Sequence, residues 1–201
     1  MIIEWKKINP SMKFHNLNQW DEKETKQFCT LYAPAINLKY NCWIVLTEED
    51  IKIIWKQQIK KWLLWKQWWR WSDWIEAVYN YVKDNAFSRW WKVPNLITFW
   101  VLDGLEVEEW LDRWYAVTIW IGVNKDFLTD VRDDNNLNKF EDYINYVWKL
   151  WHFTNIAKWI KWDDKHDMII DSYFDRKWST YKADIQKILT KITFRTKYLF
   201  F

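Results

Sequence analysis

The stretch Lys66–Val82 reads KQWWRWSDWIEAVYNYV. Its second half sets Ile75, Val78, Tyr79 and Val82 at the spacing of one helix face, with Ser72 or Asp73 placed to cap it. Its first half puts Trp68, Trp69 and Trp71 among Lys, Gln, Arg and Ser, where a chain entering a helix ordinarily turns. The pattern recurs in SRWWKVP (88–94), KWDDKHD (161–167) and DRKWSTY (175–181). What these tryptophans stand for decides how the whole chain is read.

The chain has 201 residues, half of them hydrophobic, with 21 Trp and only two Gly. That length supports one full-sized domain with its own core. An average chain is about 7% glycine, so roughly fourteen are expected at this length. A set of stacking platforms for single-stranded nucleic acid, or an interfacial helix for a membrane, would explain exposed Trp. Either would bring a concentrated basic groove or face. The stretch KIIWKQQIKKWLLWKQWWR (52–70) comes nearest, but the net charge is only +3 and acids are interspersed throughout. Neither a nucleic-acid nor a membrane partner is expected. Core residues would follow helical or alternating periods, and Trp71, Trp162 and Trp178 sit instead between charged or small polar neighbours.

These positions suit glycine. Trp43 follows an apolar helical run where a helix-ending glycine is expected, and Trp162 and Trp178 fall in turn-like polar segments. Trp and Gly together number 23, which leaves room for true tryptophans such as Trp110. The codon UGA is read as Trp in one variant genetic code and as Gly in another. A gene from a glycine-reading bacterial lineage, or from a phage infecting it, would produce this substitution when read with the wrong code.

Along the chain, an arm over 1–27 precedes a helical half over 28–93 and a β-rich half over 94–201. Together they make one α+β domain. Helices are expected over CTLYAPAINLKYN (29–41), over TEEDIKIIWKQQI (47–59) and over SDWIEAVYNYVKDN (72–85). In the second, Thr47 is the N-cap and Asp50 completes a capping-box spacing. Strands are expected in NLITFWVL (95–102), YAVTIWIGV (115–123), HFTNIAKWI (152–160) and DMIIDSYF (167–174), with a short helix in FEDYINYVWKL (140–150). No apolar run is long enough for a membrane span, and the N-terminal residues lack the apolar centre of a signal peptide. With two cysteines in reduced form, the expected setting is cytoplasmic or virion-associated.

Cys29 opens the first helix, where the positive end of the helix dipole favours a thiolate. Cys42, at the far end, lacks that advantage. Of three histidines, His15 lies in the arm and His166 in the polar turn DDKHDM, whereas His152 begins an apolar strand. Asp171 follows the apolar run MII. The order Cys29, His152, Asp171 suits a nucleophile, its base and the group that orients the base. No metal and no cofactor is called for; the acidic turn at 163–167 reads as a solvated polar segment.

With Trp read as Gly in turns, the chain resembles the papain-like cysteine peptidases over most of its length. FCTLYAPAINLKYN (28–41) is similar to the helix bearing the catalytic cysteine. QWWRWSDWIEAVYNYVKDN (67–85) is similar to the family's Gly-Gly element, with Trp68 and Trp69 in the glycine places and a helix after it. Trp151-His152 resembles the Gly-His that opens the histidine strand, and MIIDSYFDRKWSTY (168–181) the strand bearing the third catalytic residue. His152 and Asp171 lie 123 and 142 residues after Cys29, close to the family's interval of about 130–150.

The resemblance implies that the cysteine helix packs on an antiparallel sheet or barrel, and that a monomer hydrolyses peptide or protein substrates through a thioester. Trp68, Trp69 and Trp151 would border the substrate cleft. The family's third residue is usually Asn and here is Asp171. Its oxyanion-hole glutamine stands six residues before the cysteine, where this chain has Lys23, so Gln27 is the substitute candidate. Two alternatives share the scaffold: a cell-wall amidase or endopeptidase, and a catalytically inactive interaction protein.

Overall fold

The computed structural model describes residues 29–65, 71–99, 104–123, 150–158, 166–170, 180–184 and 197–201. These residues form helices and an antiparallel sheet, an α+β arrangement. Helix α1 (Cys29–Cys42) is buried at every side chain from Cys29 to Leu38. Over that stretch it has no solvent-exposed face because helices lie against one side of it and strands against the other.

Helix α2 (Glu48–Trp65) starts as its sequence dictates. The Thr47 N–H donates to the Asp50 carboxylate at 2.8 Å, and the Asp50 N–H donates to the Thr47 hydroxyl at 3.2 Å. Two N–H groups that the helix cannot satisfy are thereby paired reciprocally, with Asp doing what Glu or Gln more often does. The helix continues to Trp65, about 1.7 turns past the expected end at Ile59. Helix α3 (Trp71–Asn85) begins one residue earlier than expected, which puts Ser72 and Asp73 inside its first turn instead of at its cap. Ile75, Val78 and Val82 are buried as their spacing requires, and Trp74 stacks on Trp55 of α2 with ring centroids 5.1 Å apart.

An ion cluster ties α2 to the end of α3. Asp50 is 1% exposed and takes both guanidinium nitrogens of Arg89, at 2.7 and 2.5 Å, with the Tyr81 hydroxyl donating to the same carboxylate. Burial alone would raise the Asp50 pKa. The Arg89 bonds, the Thr47 N–H and the Tyr81 hydroxyl override it and hold the carboxyl at about 2. Burial and the neighbouring carboxylate push Tyr81 the other way, to about 12.

Among the described residues six strands follow: β1 (Leu96–Phe99), β2 (Val117–Val123), β3 (Leu150–Ala157), β4 (His166–Ile170), β5 (Thr180–Asp184) and β6 (Lys197–Phe200). They pair antiparallel in the order β1-β6-β2-β3-β4-β5. Four differ from expectation. Strand β3 starts at Leu150, two residues before His152, and so takes in the last residue of the expected helix over 140–150, the rest of which lies outside the described residues. His166 begins β4, in register with Asp184, and is not part of a turn. Strands β5 and β6 had no counterpart in the sequence reading. A helix, α4 (Gly104–Asp112), also interrupts the β-rich half; Val107 and Leu111 are buried and Trp110 partly so, an i, i+3, i+4 set that the sequence did display.

The main core joins both halves. Leu31, Tyr32, Leu38, Ile51, Ile54, Val78 and Val82 from the helices pack in one cluster with Phe153 of β3 and Phe200 of β6. Among the described residues, no helix is long and apolar enough to cross a membrane.

Candidate functional site

The face of α1 turned to the sheet carries two polar anchors, and a third faces them from β3. Asn37 and Asn41 are one helical turn apart, and both are buried. Asn37 donates to the Ala116 carbonyl at 2.9 Å and to the Asn155 side-chain oxygen at 3.3 Å, and accepts the Phe200 N–H at 2.9 Å. Asn41 donates to the carbonyls of Ala116 and Phe200 at 2.9 and 2.8 Å, and accepts the Ala116 N–H at 2.7 Å. Asn155, in the middle of β3, donates to the Ala33 carbonyl at 3.1 Å and accepts from the Thr118 hydroxyl. The side-chain amides thus fix α1 against β2, β3 and β6 through groups that would otherwise be buried without partners.

These bonds also set direction. Ala33 meets Asn155, whereas Asn41, two turns on, meets Ala116, whose neighbour Val117 pairs with Ile156; Ile36 packs with Ala116 and Ala157. Helix α1 therefore runs the same way as β3, with its first turn toward the start of that strand. Cys29 lies one turn before Ala33, about 6 Å along the helix. Phe153 lies two residues before Asn155, about 7 Å along the strand. The thiol residue and the beginning of β3 are thus at one level, and Cys29 and Phe153 share a core cluster.

The structure places the expected site residues unequally. Cys29 opens α1 and is buried, 9% exposed. Cys42 closes α1, partly buried, and the two cysteines form no disulfide. His152 is the third residue of β3, immediately before Phe153 and in backbone register with Ile121; Trp151 before it is in register with Gly122. Asp171 lies outside the described residues. It follows Ile170, the last residue of β4, which pairs with Asn155. Gln27, Trp68, Trp69, Trp162 and Trp178 also lie outside the described residues.

Comparison with protein-family models, with curated proteins and with solved structures found no match. The site is therefore read from its own geometry. Among the described residues, no group of three or more His, Cys, Asp or Glu side chains could hold a metal ion.

The amides of Asn37, Asn41 and Asn155 were missed by sequence reasoning. Asn37 and Asn41 sit one turn apart in a largely apolar helix, and Asn155 lies between Phe153 and Ile156 in a strand. Polar side chains at such positions need partners, and that was the available signal.

Proposed function

We propose that the chain is a cysteine peptidase of papain-like type, with Cys29 as nucleophile, His152 as its acid–base partner and Asp171 as the group that orients the imidazole. The observation that carries this reading is the alignment of α1 with β3: a cysteine at the first turn of a buried helix stands level with the strand start that holds a histidine. In the reaction, the Cys29 thiolate attacks a peptide carbonyl and the developing oxyanion is met by the Cys29 backbone N–H. His152 gives its proton to the leaving amine, and water then hydrolyses the thioester. Gln27 would supply the second oxyanion donor, and Trp68, Trp69 and Trp151 would border the cleft.

The reading makes one demand on β3. Asn155 and Ala157 already face α1, so strict alternation gives that face to odd-numbered residues. Catalysis requires the alternation to break between 152 and 153. The same observation favours the second reading, a papain-like scaffold that binds without turning over.

The two separate in one experiment. Cys29→Ala should abolish peptide hydrolysis, a loss of about 10⁴-fold or more, together with labelling by a thiol-directed electrophile, while Cys42→Ala leaves both intact. Intact protein that neither cleaves casein nor labels at Cys29 is the scaffold, and activity retained by Cys29→Ala sinks the catalytic assignment. Digestion of peptidoglycan in place of casein would redirect the substrate to a cell-wall peptide or amide.

A further inference from the structure

We propose that residues 43, 90 and 114 are glycine in the protein its gene encodes, whereas residues 74 and 110 are tryptophan. Among the described residues, Trp43 (φ 61°), Trp90 (φ 55°) and Trp114 (φ 64°) are the non-glycine residues with left-handed backbone. Trp supplies 21 of 201 residues yet fills all three positions. A Cβ crowds the following carbonyl in this conformation, so bulky residues avoid it; Asn and Asp are the ordinary substitutes for Gly.

Trp43 lies one residue past the end of α1, Trp114 two past the end of α4, and Trp90 closes the turn that follows α3; each has the hydrogen bonds of a glycine stop. At the end of α1, the Trp43 N–H reaches the Lys39 carbonyl at 3.2 Å, the bond of a left-handed cap, and the Ile44 N–H reaches the Leu38 carbonyl at 3.3 Å. Beyond α3, the Trp91 N–H bonds the Ala86 carbonyl at 2.9 Å and the Trp90 N–H bonds Phe87 at 3.4 Å. Beyond α4, the Tyr115 N–H bonds the Trp110 carbonyl at 3.0 Å and the Trp114 N–H bonds Leu111 at 2.8 Å. These last two are the paired bonds of a Schellman motif, whose left-handed residue is most often glycine. The residue after each stop is the apolar one the motif expects: Ile44, Trp91 and Tyr115.

At 43, 90 and 74 the side chains divide the same way, whereas Trp114 is partly buried with the Lys158 ammonium 6.0 Å from its ring centroid. Trp43 is 51% exposed and Trp90 95% exposed. Trp74 is 6% exposed and stacked on Trp55, and Trp110 packs edge-on to Tyr115 and against Phe201. The two glycines the chain does carry, Gly104 and Gly122, begin a helix and lie in a strand, and neither has positive φ. A reassigned UGA codon at some Trp positions and UGG at others produces this division without any change to the fold.

The inference is independent of the peptidase reading, since neither of its tests measures activity. The coding DNA should show UGA at 43, 90 and 114 and UGG at 74 and 110; UGG at 43, 90 and 114 overturns the inference. In the full chain, Trp43→Gly, Trp90→Gly and Trp114→Gly should each raise Tm, by roughly 2–4 °C, and Trp74→Gly and Trp110→Gly should lower it. Unchanged or lower Tm in the first three overturns the inference as well.

Discussion

The amide cluster under α1 and the ion cluster between α2 and α3 solve one problem with different chemistry. Both take polar groups out of water and satisfy them across elements far apart in sequence. Asn37, Asn41 and Asn155 do so with neutral amides that keep the same hydrogen bonds at any pH. Asp50, Arg89 and Tyr81 do so with charge, and hold only while the carboxylate is ionised and the phenol is not. The neutral cluster joins helix to sheet; the charged one joins helix to helix. The amide bonds that hold helix to sheet are thus independent of pH, and the bonds that hold α2 to α3 are the ones that titrate.

The sharpest way to break this contrast is at Asn41. Asn41→Ala leaves the Ala116 N–H and the Phe200 carbonyl buried without that partner. It should cost about 3 kcal/mol, read from urea unfolding, and the loss should be equal at pH 4 and pH 7. A loss that depends on pH would erase the distinction between the clusters.

Asp50→Asn should cost less, about 2 kcal/mol at pH 7, through weakened bonds to Arg89 and Tyr81. Its pH dependence is the diagnostic. The folded pKa of Asp50 is held at about 2, below the ordinary 3.8. Its stabilisation is therefore present above pH 3.8 and is lost as pH falls toward 2. The variant and the parent should converge across that window, and parallel curves would show that the charge contributes nothing.

Smallest of the three is Tyr81→Phe, about 1 kcal/mol at pH 7. The folded Tyr81 pKa is raised to about 12 from 10.0, so the protonated phenol adds stability below pH 10 that disappears as pH rises toward 12. Substituting Phe should remove that alkaline loss, and a persisting loss would place its source at another group.

Much of the fold could be read from the chain because its signals are local. The Thr47–Asp50 capping box is two residues at fixed spacing, and the left-handed turn at Trp43 follows from where an apolar run stops. Helix α4 displayed its i, i+3, i+4 set and was overlooked inside a segment that otherwise read as strands. The amide cluster was beyond local reading, because Asn37 finds Asn155 and Phe200 at separations of 118 and 163 residues. For the candidate site, the sequence showed which cysteine heads a helix and which histidine belongs to an apolar strand. It did not show that Asn155 sets the two elements parallel, since that depends on packing. His166 misled for a related reason: its polar neighbours suggest a turn, and only pairing with β5 makes that segment a strand.

Strand β6 has a consequence for how the molecule assembles. It lies between β1 and β2 although it follows both in the chain, and Asn95 exchanges both backbone hydrogen bonds with Phe201 at its edge. Until those residues arrive, β1 has no place in the sheet and the carbonyl that Asn41 seeks is missing. Such distant pairing pays its loop-closure entropy before any contact offsets it, and so slows folding. The helices α1 to α3 and their ion cluster draw only on residues up to Arg89 and can form early, whereas the seam under Asn37 and Asn41 waits for β6.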